Sequence, residues 1–173
     1  MELRTARLLL RRAVRSDLAA IHAFMSSLEA MRYWSTLPHV SMAETEDWFE
    51  KQFFSGDPAR DEWVIEYGDC VVGNIGIWNA PEFGFILHPD VWRKGIGYEA
   101  ATAYIDHVFA TRAIDSVTAD VDPRNTASLG LLAKLGFEET GRAENTFLID
   151  GVWCHSIYLA LARTDWQSRQ IPG

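Results

Sequence analysis

The stretch Pro89–Ala100, PDVWRKGIGYEA, decides the fold of this 173-residue chain. It follows a strand-like run, Phe83–Leu87, and opens a helix-like run that ends near Ala110. Two basic residues, Arg93 and Lys94, and two glycines therefore lie where a helix begins. Free backbone N–H groups and the positive end of the helix dipole favour an anion there, and glycine lacks the Cβ that would keep a phosphate from the backbone. The stretch predicts a diphosphate site.

Two other interpretations of this stretch stay open. Gly95-x-Gly97-x-x-Ala100 matches a dinucleotide-binding fingerprint, and Asp115 follows at about the expected twenty residues. In that fold the glycine loop follows its strand directly within βαβ units, whereas here residues 88–94 intervene and the preceding segments are strands joined by short turns. The plainest interpretation is a solvated basic turn before an ordinary helix.

Composition restricts the possible functions. The net charge of −8 argues against general nucleic-acid binding and suits a cationic acceptor such as an amine. Hydrophobic residues make up 48% of the chain and charged residues 23%, which is typical of a globular protein. We expect one domain over residues 1–173, no membrane partner and a cytoplasmic location, because no apolar run approaches about 20 residues and Leu8–Leu10 is too short for a signal-peptide core.

Two cysteines, Cys70 and Cys154, occur in apolar, strand-like settings, and we expect both to be buried free thiols. Cys154 and His155 are adjacent, so along a strand their side chains point to opposite faces. Neither cysteine has a partner at metal-ligand spacing. The sequence therefore predicts no metal site and no cysteine nucleophile.

Cap and turn residues divide the chain into helices and strands. Ser16 and Ser41 are expected N-caps, Gly68-Asp69 a hairpin turn, and Gly136 the residue that ends a helix. The predicted helices are Asp17 to about Glu29, Met42–Phe53, the run ending near Ala110, and Asn125–Leu135. The predicted strands are Leu8–Arg12, Trp63–Tyr67, Val71–Trp78, Glu82–Leu87, Asp115–Val121, Phe137–Gly141 with Thr146–Ile149, and Val152–Leu161. This order predicts an α+β fold with a mixed sheet, and the polar tail after residue 163 is expected to be peripheral.

The helix from Asn125 to Leu135 carries an oddity. Gly130 lies inside it, at a cost of about 1 kcal/mol relative to alanine. Close approach of a ligand, of another chain or of the sheet would explain it.

Together these stretches resemble the GNAT N-acetyltransferase superfamily. Trp92, and Ser128 three residues after Asn125, point to the RimJ/RimL-like subgroup, which includes ribosomal-protein N-terminal acetyltransferases. The resemblance covers nearly the whole chain, and the order and spacing of its motifs make it specific. The motifs are Leu8-Leu9-Leu10-Arg11, Pro89-x-x-Trp92-x-Lys94-Gly95-x-Gly97, Asn125-x-x-Ser128, Gly136-Phe137, Asp150-Gly151-x-Trp153 and Leu159-Ala160-Leu161.

The resemblance implies a GNAT-like, mostly antiparallel central sheet of about seven strands with about four flanking helices, as a monomer or homodimer. It implies acetyl-CoA as cosubstrate and a primary amine, either small or at a protein N-terminus, as acceptor. The strands ending near Leu87 and Val121 should splay apart to admit the pantetheine arm. The residues implied in acetyl-CoA binding are Phe85, Ile86, Leu87, Trp92, Arg93, Lys94, Gly95, Ile96, Gly97, Tyr98, Asn125 and Ser128.

The resemblance also suggests catalytic groups. Many relatives place a tyrosine seven residues after the helix-opening asparagine to assist the leaving thiolate. This chain has Leu132 there, which leaves Ser128 for that role, or else an ordinary first-turn serine. A non-catalytic acyl-CoA-binding module therefore remains an alternative function.

Glu82 and Asp120 are the candidate general bases. Either can instead hold the cationic amine or be a plain surface carboxylate, and a bound water can also act as base. Tyr33 and Trp34 lie in the loop that lines the acceptor channel in relatives, and their other interpretation is packing between helices. The oxyanion donor is expected to be a backbone N–H near Leu87.

Overall fold

An open sheet of eight strands, covered by five helices, forms residues 1–169, the part of the chain that the computed structural model describes. The strands are β1 (Glu2–Arg4), β2 (Leu8–Arg11), β3 (Asp61–Tyr67), β4 (Cys70–Asn79), β5 (Glu82–Leu87), β6 (Ser116–Val121), β7 (Glu138–Ile149) and β8 (Val152–Ala162). The helices are α1 (Leu18–Met25), α2 (Met42–Phe53), α3 (Ile96–Thr111), α4 (Thr126–Leu135) and α5 (Arg163–Arg169). The predicted α+β fold with a mostly antiparallel mixed sheet is confirmed.

The strand order is β1-β2-β3-β4-β5-β6-β8-β7, and β5 with β6 is the parallel pair within the described chain. These two strands share one bridge, between Glu82 and Thr118 near their first residues. Beyond it they have no backbone pairing within residues 1–169, so the sheet is open between the ends of β5 and β6. The predicted splay of these strands is confirmed.

The helices bury both faces of the sheet. One apolar cluster joins Ile21 and Phe24 of α1 and Phe49 of α2 to Val64 and Ile86 of the sheet. The larger cluster joins α3, α4 and α5 to the opposite face. Alternate strand residues therefore face different helices, which places the even-numbered residues of β5 on the α1–α2 face.

Several predicted boundaries are corrected. The helix expected from Asp17 to about Glu29 is shorter, Leu18–Met25, and Ser16 lies in a 3-10 turn instead of capping it. Asp17 is buried and accepts two hydrogen bonds from Arg11, at 2.8 and 2.9 Å, and this pairing fixes the chain before the helix. In contrast, the Ser41 cap and the Gly68-Asp69 turn are confirmed, with φ of 58° and 61° in the turn.

Three further elements differ from the prediction. Strand β1 was not predicted, and the two short runs after Phe137 form one strand, β7, interrupted by a bulge. The first part of the predicted peripheral tail is helix α5, and its Trp166 is buried and donates to Asp106 at 2.7 Å. The rest of that tail, residues 170–173, lies outside the described residues. Within residues 1–169 no helix combines the length and apolarity that crossing a membrane requires.

Candidate functional site

The loop before α3 presents a row of free backbone donors. Arg93 and Gly95 have left-handed φ angles of 60° and 77°, and Gly95 is the N-cap of the helix. The first intrahelical bond runs from Glu99 N to Gly95 O, at 3.1 Å. The N–H groups from Arg93 to Tyr98 have no acceptor among residues 1–169. Such a concave row of donors at a helix N-terminus binds anions.

The charges around this row reinforce it. Arg93 and Lys94 are exposed, so their cationic groups can reach an anion on the loop. The glycines have different reasons to be glycine. Gly95 needs its positive φ, whereas a Cβ on Gly97 would lie 2.9 Å from Leu131 Cδ1 and 3.2 Å from Leu87 Cδ1. Gly97 therefore permits close packing of α3 on α4 and β5, a role that the sequence interpretation, based on phosphate access, did not include.

The end of β5 offers backbone groups to the opening between β5 and β6. His88 N donates to Val72 O of β4, at 2.7 Å. Because backbone groups alternate along a strand, those of Leu87 and Phe85 point to the other side, toward β6. The carbonyl of Leu87 accepts a hydrogen bond from the indole of Trp92, at 2.9 Å. The N–H groups of Phe85 and Leu87 face the unpaired opening, while the Ile86 side chain is buried among α1 and α2.

Helix α4 begins across this opening. Asn125 caps it, because its Oδ1 accepts from Ser128 N at 3.1 Å. The Asn125 amide nitrogen and the half-buried Ser128 hydroxyl have no hydrogen-bond partner in the described part of the chain. Leu132 is only 2% exposed and belongs to the core. A Cβ on Gly130 would meet nothing within 4 Å, which rules out sheet packing within residues 1–169 as the reason for this glycine.

Glu82 and Asp120 come together at a cavity of about 230 Å³. They belong to neighbouring strands and lie on the same face, because Glu82 is paired with Thr118. The cavity is lined by Glu82, Thr118, Ala119, Asp120, Thr140, Tyr158 and Leu159. Two half-buried carboxylates and a phenol in a small cavity suit a cationic or hydrogen-bond-donating guest.

Burial governs the titration of both carboxylates. It raises the pKa of Glu82, with Asp120 adding like-charge repulsion and the Trp78 indole opposing the rise. Burial also raises the pKa of Asp120, against a hydrogen bond from Ser156. A carboxylate with a raised pKa is a stronger base than an exposed one. Either group can therefore accept a proton at this cavity.

Tyr33 and Trp34 occupy different surroundings. The Arg124 guanidinium lies 6.0 Å from the Tyr33 ring centroid, and Arg124 is held by Asp122 in two hydrogen bonds of 2.9 and 2.5 Å. This contact brings Tyr33 beside the residue that precedes Asn125. Trp34 is half-buried and packs against the apolar cluster of α1 and α2. Its contacts within residues 1–169 are therefore those expected for packing between helices.

The cysteines are free, as predicted, but the expected burial is wrong. Cys70 is exposed at the start of β4, and Cys154 is half-buried. Cys154 Sγ accepts a hydrogen bond from Arg124, at 3.2 Å. Both cysteines lie near the first residue of a strand. The apolar sequence pattern continues to these positions, which lie beyond the covered part of the sheet. No group of three or more His, Cys, Asp or Glu residues among those described is arranged to hold a metal ion.

The sequence interpretation missed several supporting residues. Arg7 and Thr5 bind Glu99 in the first turn of α3, although more than ninety positions separate them in the chain. Ser156 and Tyr158 of β8 face Asp120 and the cavity. No local motif marks such contacts. The contacts of Ser156 and Tyr158 with Asp120 and the cavity can be inferred only from the strand order, which places β8 beside β6.

Comparisons with known proteins agree on one family. Residues 7–138 match the family described as "Acetyltransferase (GNAT) domain". The chain is 37% identical over 125 residues to the [Ribosomal protein uS5]-alanine N-acetyltransferase of Escherichia coli, with 68% of this chain and 63% of that protein covered. The chain thus spans less than two thirds of the length of this relative. It is 25% identical over 158 residues to spermidine N(1)-acetyltransferase of the same organism, covering 88% of this chain and 84% of the relative.

Solved structures show the same fold. Spermidine N-acetyltransferase from Vibrio cholerae, in complex with CoA and spermine, superposes with a TM-score of 0.83 at 24% identity, over 94% of this chain and 99% of that one. An acetyltransferase from Bacillus anthracis gives a TM-score of 0.82 at 22% identity, over 94% and 98% of the two chains.

Proposed function

The chain belongs to the GNAT acetyltransferases, and on that premise we propose that it transfers the acetyl group of acetyl-CoA to a primary amine by direct attack in a ternary complex. The observation that carries the proposal is the row of unpaired N–H groups from Arg93 to Tyr98 at the start of α3. The two exposed cations beside it, Arg93 and Lys94, add charge to a site already suited to a diphosphate.

The opening between β5 and β6 provides a place for the pantetheine arm. In this proposal the diphosphate binds the loop, and the arm runs along the unpaired edge of β5 at Phe85 and Leu87, taking the place of a strand. The unengaged amide nitrogen of Asn125 donates to it from the other side. The thioester then lies between the start of α4 and the Glu82–Asp120 cavity.

The acceptor must be a free amine when it attacks, because an ammonium has no lone pair. Glu82 and Asp120 line the same cavity, and burial raises the pKa of each. One takes the ammonium proton, directly or through water, and the other helps to hold the cation. The N–H of Leu87 or Phe85 stabilises the oxyanion that forms as nitrogen bonds to the carbonyl carbon. When the C–S bond breaks, the thiolate receives a hydrogen bond from Ser128. The nitrogen loses its second proton to become the amide, and this proton passes to the thiolate through that hydroxyl or through water.

The acceptor class is a primary amine, with two forms that the relatives illustrate. One relative is named for an alanine of a ribosomal protein and another for spermidine. In both forms the reacting nitrogen enters as a cation, which suits the acidic cavity and the net charge of −8. Tyr33, held beside Arg124, forms one wall of the approach in this proposal, with Trp34 supporting its loop. We also propose that residues 1–173 form one domain.

The test is release of free CoA when the protein is mixed with acetyl-CoA and an amine panel. The panel contains N-terminal peptides, including one that begins with alanine, and spermidine. Acceptor-dependent release supports transfer. Tight acetyl-CoA binding without release across the panel favours the alternative, a non-catalytic acyl-CoA-binding module, which the absence of a tyrosine at Leu132 keeps open.

A further inference from the structure

The bulge in β7 places one hydroxyl against β8. Ala143 pairs with Ser156 and Phe147 with Cys154, so residues 144–146 lie opposite a single residue, His155. Asn145 has a left-handed φ of 56°, and its N–H donates to His155 Nδ1 at 3.2 Å. Bulges redirect side chains, often beside functional sites. This one directs Thr146 toward Ser156.

The Thr146 hydroxyl begins a directed chain of hydrogen bonds. Its Oγ1 lies 2.8 Å from Ser156 Oγ, and Ser156 Oγ donates to Asp120 Oδ2 at 3.0 Å. Ser156 is only 1% exposed. A hydroxyl has one proton to donate. Thr146 Oγ1 also lies 3.4 Å from the Cys154 carbonyl. Because Ser156 gives its proton to the carboxylate, the single Thr146 proton goes to the shorter contact, Ser156 Oγ at 2.8 Å.

The two oxygens of Asp120 consequently differ. Oδ2 is held by Ser156, whereas Oδ1 has no hydrogen-bond partner among residues 1–169. Asp120 lines the cavity shared with Glu82. The oxygen left without a protein donor is therefore the one that can meet a guest.

We propose that Ser156, itself oriented by Thr146, is a positioning residue that fixes Oδ2 of Asp120 and leaves Oδ1 to accept the proton of the acceptor amine. This inference rests on the proposed acetyl transfer. In the step, an N–H bond of the ammonium breaks and an O–H bond forms at Oδ1. The amine keeps the electron pair with which it attacks the thioester.

The groups around Asp120 determine the direction in which its pKa should change when the Ser156 hydroxyl is removed. Glu82 faces it from β5, Tyr158 from β8, and Asp122 directly follows the last residue of β6. Burial and Asp122 raise the Asp120 pKa, and the Ser156 hydrogen bond lowers it. Removal of the hydroxyl should thus leave Asp120 a tighter proton acceptor, charged only at higher pH.

The experiment measures this proton affinity directly. The Asp120 carboxyl carbon is followed by NMR through a pH titration in the unaltered protein, Ser156→Ala, Ser156→Cys and Thr146→Val. We expect about a tenfold higher proton affinity in Ser156→Ala, and smaller increases in Ser156→Cys, which keeps a weak donor, and in Thr146→Val. Thr111→Val is the matched control, since its hydroxyl donates to His107 O on α3, away from the cavity, and it should leave the Asp120 titration unchanged.

Kinetics provide the second readout. The acidic limb of the kcat/KM profile should move to higher pH in Ser156→Ala by the same factor as the Asp120 titration. An unchanged Asp120 titration, or an acidic limb that stays in place while Asp120 shifts, overturns the positioning role. Failure of the proposed function is seen separately, as an unaltered protein that releases no CoA with any amine. The NMR titration tests the Ser156 contact in either case.

Discussion

Arg7 and Glu99 are joined by two hydrogen bonds directly behind the loop that precedes α3. Arg7 Nε donates to Glu99 Oε2 at 2.7 Å, and the Arg7 backbone N–H donates to Oε1 at 3.0 Å. Arg7 Nη1 also donates to the carbonyl of Lys94, at 2.8 Å. One side chain from the β1–β2 turn therefore holds the loop and pairs with the carboxylate in the first turn of α3.

Arg7→Gln should weaken CoA binding roughly 10- to 100-fold, because it frees the loop and leaves the Glu99 carboxylate facing the diphosphate. In a Glu99→Gln background, Arg7→Gln should weaken CoA binding much less, because the carboxylate that repels the diphosphate is already absent. Calorimetry on the four proteins of this cycle gives the coupling. Arg4→Gln, in the same hairpin and 71% exposed, is the control. Equal losses in both backgrounds would mean that Arg7 acts without Glu99.

Arg93→Glu should weaken CoA binding more than Arg93→Ala, because it places a carboxylate where the diphosphate binds. Arg15→Glu makes the same charge change on a 71% exposed side chain that pairs with Glu50 of α2, and should leave binding unchanged. Calorimetry at two salt concentrations should show a steeper salt dependence for the unaltered protein than for Arg93→Ala. Equal affinity in all the proteins would remove the phosphate role of this loop. NAD should not compete.

The sequence predicted the parts of the site that follow from local chemistry. The helix that starts beside Arg93 and Lys94, the helix opened by Asn125 and the polar face of β6 that carries Asp120 each depend on neighbouring residues, and the structure contains all three. Arg7 could not be found this way, since its partner Glu99 is 92 positions away. The same holds for Ser156, which reaches Asp120 because β8 pairs with β6.

The errors also have physical causes. The apolar pattern of α1 continues toward Glu29, but the chain leaves the helix after Met25 because His39 N donates to the carbonyl of Met25 at 2.9 Å. Cys70 fits the apolar pattern of β4, but it is the first residue of that strand and is exposed. Apolar periodicity predicts which face of the sheet a residue occupies. It does not predict where the covered part of the sheet ends, because that depends on where the neighbouring strands end.

Glu62 should make stability depend on pH. It is 6% exposed, and burial raises its pKa to about 7, against hydrogen bonds from Gln52 and Asn74. The folded state then binds more protons than the unfolded state, whose carboxyl titrates near an ordinary pKa of about 4.3. The stabilisation is full below that value and is lost as pH rises through about 7.

Glu62→Gln should therefore remove part of the fall in unfolding free energy between pH 5 and 8, by up to about 3 kcal/mol. Urea unfolding at the two pH values measures it. Glu46→Gln, an exposed carboxylate of α2, removes the same charge without burial and should keep the pH dependence of the unaltered protein. If Glu62→Gln and the unaltered protein showed the same pH dependence of stability, Glu62 would be charged in the folded protein from pH 5 to 8.

A double Cys70→Ser, Cys154→Ser variant should keep its turnover, because direct attack in a ternary complex needs no acetyl-enzyme. Cys70 is exposed at the first position of β4, and Cys154 contacts Arg124. Mass spectrometry after mixing with acetyl-CoA should find neither cysteine acetylated in the unaltered protein. A trapped acetyl-cysteine on the turnover time scale, or lost activity in a folded double variant, would establish a covalent route.

Ser128→Ala tests the chemical step. The hydroxyl is half-buried in the first turn of α4 and has no hydrogen-bond partner within residues 1–169, so its removal should change stability little. If it stabilises the departing thiolate, kcat should fall roughly 10- to 1000-fold. The KM for acetyl-CoA should move far less, because the loop contacts remain. Thr126→Ala, an exposed hydroxyl in the same helical turn, is the matched control and should keep full activity. Since chemistry must limit the rate for this comparison, single-turnover rates are measured beside kcat. An unchanged single-turnover rate in Ser128→Ala would assign protonation of the thiolate to water and leave Ser128 as a first-turn helix residue.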